Sequence, residues 1–176
     1  MKLTRLFQPR SAALAGRRLY ASAVQQARSP ALYAAMGAPD TVEGRFELYT
    51  LHVALLLRRL KGQGDQAAET AQGLFDAYVQ ALDDALREMG VGDISVGKKM
   101  RRLGEAFYGR VKNYDEACAA LPDAAPLAAI IGRTVLMDEA GAEAGPLVDY
   151  AVAAMARLQD EPLDTLLQGD PSWPTI

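Results

Sequence analysis

Apolar residues recur at three- and four-residue steps along nearly the whole chain, and nowhere do they alternate with polar ones over the length of a half-buried strand. That spacing leaves little room for anything but packed helices. The clearest stripe lies in 66–89, where Ala71, Leu74, Phe75, Tyr78, Val79, Leu82, Ala85, Leu86 and Met89 share one face. Glu69, Asp76, Gln80, Asp83, Asp84 and Arg87 lie off that face, and Gly90 follows as a residue that takes a left-handed C-cap easily.

The same reading divides the rest of the chain. A helix is predicted over 11–27, a short one from Pro30 (capped by Ser29) to Met36, and a third from the cap Thr41 to Lys61, ahead of Gly62-Gln63-Gly64. Ser95 opens a helix with Val96, Met100, Leu103, Phe107 and Val111 on its seam, and Asn113-Tyr114-Asp115 starts a separate short helix holding Cys118. Asp123 caps a helix running to Met137, Gly145-Pro146 begins another, and Glu161-Pro162 introduces a last turn or two before an irregular tail from Pro171. The sum is an all-α fold, one compact domain of seven or eight helices with short connections.

A chain of 176 residues, half of them apolar, can bury a core without covalent staples. Its single cysteine, Cys118, excludes an internal disulfide, and its single histidine, His52, excludes sites that need two histidine ligands from one chain. The most apolar stretch, FELYTLHVALLL between Arg45 and Arg58, is twelve residues long. As a helix it would reach roughly 18 Å against a hydrocarbon core of about 30 Å, so it reads as a buried core helix.

Charge is distributed unevenly. Residues 1–39 hold six basic side chains and no acid, 40–114 hold eleven of each sign, and 115–176 hold two basic against eleven acidic. A basic pole suits phosphate or anionic lipid, while solvated helix faces account for the same counts. The acid-free, Arg-, Ala- and Ser-rich first 28 residues also have the composition of a mitochondrial transit peptide.

Several segments invite chemical readings. Gly92-Asp93-Ile94-Ser95-Val96-Gly97-Lys98-Lys99 comes within one residue of a phosphate-binding loop, but Lys99 stands where magnesium needs a hydroxyl, and a helix precedes the loop instead of a strand. A nucleotide-binding enzyme built on Gly92–Lys99 is therefore the weaker alternative. His52 is either a hydrogen-bonded core histidine or, in a haem-delivery protein, a transient ligand. Cys118, with Asp115 and Glu116 beside it, reads as packing. Asp76, Asp83, Asp84 and Glu88 lack the histidine that a di-metal helix motif requires and read as a solvated face.

The most informative surface is that of 98–112, which carries Lys98, Lys99, Arg101, Arg102, Arg110 and Lys112 against one acid, Glu105. Arg58, Arg59 and Lys61 add to it. Such a face can meet RNA, anionic lipid headgroups or an acidic protein. Phe107 and Tyr108 fall partly on the apolar seam, which favours packing over base stacking.

Three long runs carry a family likeness: LYASAVQQARSPALY (19–33), PDTVEGRFELYTLHVALLLRRL (39–60) and LFDAYVQALDDALREMGVGDISVGKKMRRLGEAFYGR (74–110). With their ordered GRFE, LHV, RRL, LREMGVGD, VGKKM and FYGR, they closely resemble the ubiquinol–cytochrome c chaperone family over about 19–118. LAAIIGRTV (127–135) looks like a later helix of the family, with Thr134 where asparagine is expected, and 119–176 forms an acidic helical remainder of the same domain.

The resemblance implies a non-catalytic factor, without cofactor or metal, that promotes biogenesis of respiratory complex III. Mitochondrial members of the family act with a small partner protein and receive newly made cytochrome b near the ribosomal exit. The implied partners are thus cytochrome b, a small partner, the ribosome exit region and anionic lipid, and not DNA. The implied place is the cytoplasm beside a bacterial inner membrane, or the matrix side in a mitochondrion. A family domain starting by Leu19 also keeps Arg17 and Arg18 in the mature fold. Candidate client- or membrane-binding residues are the loop Gly90, Val91, Gly92 and Asp93, then Lys98, Lys99, Arg101, Arg102, Tyr108 and Arg110, with Arg45, Arg58 and Arg59 in the other matching segment. Gly90 and Gly92 serve equally as a cap and a tight turn, and Arg45 with Glu88 as an internal ion pair.

Overall fold

The computed structural model describes residues 8–138 and 144–176. Lys2 and Arg5 of the basic N-terminal stretch lie outside them. Among the described residues there are eight α-helices and no strand: α1 (Gln8–Ala27), α2 (Pro30–Ala34), α3 (Val42–Leu60), α4 (Asp65–Glu88), α5 (Asp93–Ala119), α6 (Ala125–Ile131), α7 (Gly145–Asp160) and α8 (Leu163–Leu167). α6 continues as a π-helical turn, Gly132–Leu136, that ends on Met137 with φ +55°. None of these helices is long and apolar enough to cross a membrane.

Local chemistry sets the boundaries. Thr41 caps α3, its hydroxyl accepting from the Gly44 N–H at 3.0 Å, and Gly90 ends α4 at φ +78°. Asp123 supports the start of α6 by accepting from the Ala125 N–H at 3.0 Å. One expected break is absent. Asn113-Tyr114-Asp115 does not open a new helix; α5 runs through it to Ala119. The segment holds no glycine or proline, and buried Tyr114, Ala117 and Cys118 extend the Phe107 seam at helical steps. α5 also begins before Ser95, with Gly92 as its cap.

α3 is the central element, with Leu48, Leu51, His52, Val53, Leu55, Leu56 and Leu60 all buried. α1 crosses α4 so closely that a Cβ on Gly16 would lie 2.3 Å from the Gly73 carbonyl carbon. Ala12, Ala15, Leu19, Ala23 and Ala27 are buried along the same helix. The transit-peptide-like composition therefore belongs, from Gln8 onward, to a core helix.

Three buried tyrosines join the helices. Thr50 gives its hydroxyl proton to the Phe46 carbonyl, so Tyr78 of α4 is the donor in its 2.8 Å bond to Thr50 of α3. By the same logic Tyr114 of α5 donates to Thr134, whose own proton goes to the Ile130 carbonyl. Tyr150 of α7 lies 2.6 Å from His52 Nε2. Burial pushes all three phenols far above their ordinary titration range, which keeps them as donors. The tail is irregular but anchored. Trp173 lies edge-on to His52 and donates from Nε1 to Ser22 Oγ at 3.0 Å, and Gln26 of α1 donates to the Pro174 carbonyl.

Candidate docking surface

The apolar stripes of α4 and α5 carry on from the core to the surface through a chain of rings. Phe107 is buried against Tyr78 with centroids 4.5 Å apart, and Phe75 packs on Phe107 at 5.5 Å. Tyr108, 61% exposed, completes the chain 5.4 Å from Phe75. Phe75, Phe107 and Tyr108 floor one end of a groove of about 660 Å³ between α3, α4 and α5, whose sides include Leu57, Ala68, Ala71 and Val111. Its other end is charged. Asp115 accepts from Arg58 and, at 2.7 Å, from Lys61. Lys61 first, then Arg58, holds the Asp115 carboxyl below its usual range. A second groove of about 580 Å³, between α3, α5 and α7, opens onto the same charged cluster.

Many of the cations singled out from the sequence are bound within the fold. Arg59 donates to the carbonyls of Leu158 and Glu161 at 2.8 and 3.1 Å and so ties α3 to the end of α7. Arg110 grips both carboxylate oxygens of Glu47, which is only 5% exposed. Arg45 pairs with Asp40 at 2.6 Å, not with Glu88. Arg101 makes an exposed 3.2 Å pair with Glu105, an arrangement worth little. Lys98, Lys99 and Arg102 are exposed on the early turns of α5, well along the chain from the Arg58 cluster. In the preceding turn Gly90 and Gly92 are exposed and Val91 is half-buried, its N–H donating to the Leu86 carbonyl at 3.1 Å. Asp93 opens α5, and its side chain lies outside the described residues.

The two chemical alternatives lose their geometry. Gly92 is a helix cap, and Asp93 through Lys99 are already helical, so no loop is left to wrap a phosphate chain. His52 is fully buried, with Nδ1 2.7 Å from the Leu48 carbonyl. A carbonyl only accepts, so Nδ1 carries the proton and Nε2 receives the Tyr150 hydroxyl proton. Neither nitrogen has a lone pair left for iron. Burial pulls the His52 pKa down to about 4, with the Leu48 carbonyl as a smaller opposing influence.

That depression has a stability consequence. The unfolded chain takes up the proton near the ordinary histidine value while the folded chain resists it. Stability is therefore lost as pH falls from about 6.5 towards 4, by about 3 kcal/mol at full extent. His52→Gln is expected to flatten this part of the stability–pH curve. Urea melts across that range check it, and a slope unchanged from the wild type would contradict the assignment.

Comparison with known proteins decides the family. The model described as Ubiquinol-cytochrome C chaperone matches residues 34–173, from the end of α2 to Trp173. The chain belongs to the Ubiquinol-cytochrome C chaperone family. Among solved structures, the Cbp3 homolog from Brucella abortus is similar with a TM-score of 0.85 and 35% identity, over 99% of this chain and 97% of that one. A Xenopus laevis protein named Ubiquinol-cytochrome-c reductase complex assembly factor 1 is 26% identical over 165 residues, 91% of this chain and 80% of that protein. The Mus musculus protein of the same name is 28% identical, and the match spans 55% of its length.

Within this Ubiquinol-cytochrome C chaperone family member, sequence reasoning missed that Phe75, Leu57 and Asp115 meet in one groove. Phe75 directly follows Leu74 in the stripe of α4, so the stripe is wider than one contact needs. That width is the signal: Leu74 is buried, while Phe75 reaches the surface. Asp115 carried no comparable signal, because its partner Arg58 is 57 residues away.

Proposed function

We propose that this protein is a non-catalytic assembly chaperone for the ubiquinol–cytochrome c reductase, and that it holds newly made cytochrome b until the subunit is assembled. The relatives bear the name of assembly factors of that complex. The observation that carries the reading is the aromatic-floored groove that opens between α3, α4 and α5 with cations at its rim. Cytochrome b is a polytopic membrane protein, so a holder needs an apolar surface that protects client helices and a charged rim that keeps the complex soluble. Lys98, Lys99, Arg101 and Arg102 are exposed and supply a cationic face suited to the anionic membrane surface, the ribosome exit or a small partner protein. The place of action is the cytoplasmic face of a bacterial inner membrane, or the matrix side in a mitochondrion.

The test is co-purification from solubilised cells, together with a deletion strain. Cytochrome b is expected to co-purify with the tagged protein, and the deletion strain is expected to lack the assembled reductase. Charge reversal at Lys98, Lys99, Arg101 and Arg102 is expected to cut client recovery at least tenfold with helical content intact. Unchanged recovery would remove the basic face from the mechanism. A normal reductase level in the deletion strain would remove the function.

A further inference from the structure

The groove between α3, α4 and α5 is aromatic at one end and charged at the other. Phe75 meets Tyr108 at one end, and Asp115 stands seven residues further along α5, about 10 Å or two turns away. Between them Ala68 and Ala71, short side chains on α4, leave room for a second backbone. Around Asp115 the lining holds three cations, Arg58, Lys61 and Lys112, against that single carboxylate. Glu116 approaches Lys112 only at 3.8 Å, between two exposed side chains, and offsets little of the excess.

We propose that this groove seats about two turns of an amphipathic client helix, whose apolar face packs on Phe75 and Tyr108 and whose acidic end joins Arg58, Lys61 and Lys112. The inference rests on the chaperone reading and adds to it the chemistry of the recognised segment. Charge complementarity selects the occupant. A bilayer presents its anions on a plane, whereas these cations line one end of a concave groove, where the Arg58 side chain is only 34% exposed. A carboxylate on a helix that enters along the apolar floor reaches them directly.

The probes are two labelled 14-residue helical peptides with the same leucine face, one ending in two glutamates and the other in two lysines, followed by fluorescence anisotropy on the full chain. The glutamate-ended peptide is expected to bind at least tenfold more tightly than the other. Lys61→Glu with Lys112→Glu is expected to abolish or invert that preference. Both side chains are more than two-thirds exposed, so the fold survives, as far-UV circular dichroism will verify. Ala71→Trp, which fills the groove, is expected to weaken both peptides at least tenfold. Equal binding of the two peptides overturns the inference. So does binding insensitive to both variants, or binding of phosphatidylglycerol vesicles with neither peptide bound. Full recovery of cytochrome b by the Lys61/Lys112 variant overturns the groove alone, whereas no recovery by the unaltered protein overturns the chaperone reading with it.

Discussion

Replacing Arg110 by alanine is expected to cost about 3–5 kcal/mol near neutral pH, because it strands Glu47 as a buried charge without its partner. Glu47 lies on α3 beneath α5, and Arg110 meets both of its carboxylate oxygens while its ring-facing side lies 5.7 Å from the Phe46 centroid. Burial raises the Glu47 pKa above its ordinary value even with Arg110 in place, since desolvation outweighs the pairing. Without the guanidinium nothing offsets that burial, and the upward shift grows. A carboxyl with a raised folded pKa destabilises the protein while it is ionised, and the penalty fades as pH falls and the folded form takes up its proton.

The gap between Arg110→Ala and the wild type should therefore narrow from neutral pH to about pH 5, and Glu47→Gln in the same background should recover part of the loss at neutral pH. Urea denaturation at the two pH values is the measurement. A gap of the same size at both would mean that lost packing, not charge, accounts for the change.

The second large effect lies at the crossing of α1 and α4. A Cβ on Gly16 would sit 2.3 Å from both the Gly73 carbonyl carbon and the Leu74 nitrogen. These are backbone atoms within a helix and cannot rotate away, so the two helices would have to part. Gly16→Leu is expected to lose at least about 3 kcal/mol and to lower the melting temperature by roughly 10 °C. The contrast is Gly97, exposed on α5 with nothing near the position of an added Cβ. Gly97→Ala is expected to gain about 0.5–1 kcal/mol from helix propensity alone. Calorimetry on both variants tests the pair. A Gly16→Leu protein that melts within a degree of the wild type would show that the crossing is looser than drawn.

Much of this architecture was legible from local signals. The α4 stripe, Thr41 as a cap, Gly90 as a stop and the Gly145-Pro146 start all depend on neighbours within one or two turns, and the structure places them as expected. Asn113-Tyr114-Asp115 has turn-forming composition, but Tyr114 and Cys118 carry the apolar seam past it, and the helix continues. The π-helical turn at Gly132–Leu136 left no trace in spacing, because one residue of slippage falls within the scatter of a short helix.

The site was harder to read for a different reason. Whether an arginine is free or bound depends on a partner far along the chain: Arg110 finds Glu47 63 residues away, and Arg59 finds Leu158 99 away. One-dimensional charge counts see these cations as surface excess, while the packed helices draw them inward. His52 was legible as a core histidine from its apolar helix, but Tyr150, 98 residues on, was not legible as its donor.

The anchoring of Trp173 bears on how the molecule is made. Its indole reaches Ser22, 151 residues earlier, and covers the one imidazole at the centre of the bundle. At about 5–20 residues per second, Trp173 is synthesised roughly 8–30 s after Ser22. Through that interval the indole that covers His52 and bonds Ser22 is missing, so the nascent chain carries part of its own core uncovered, the same condition as the client it is proposed to hold.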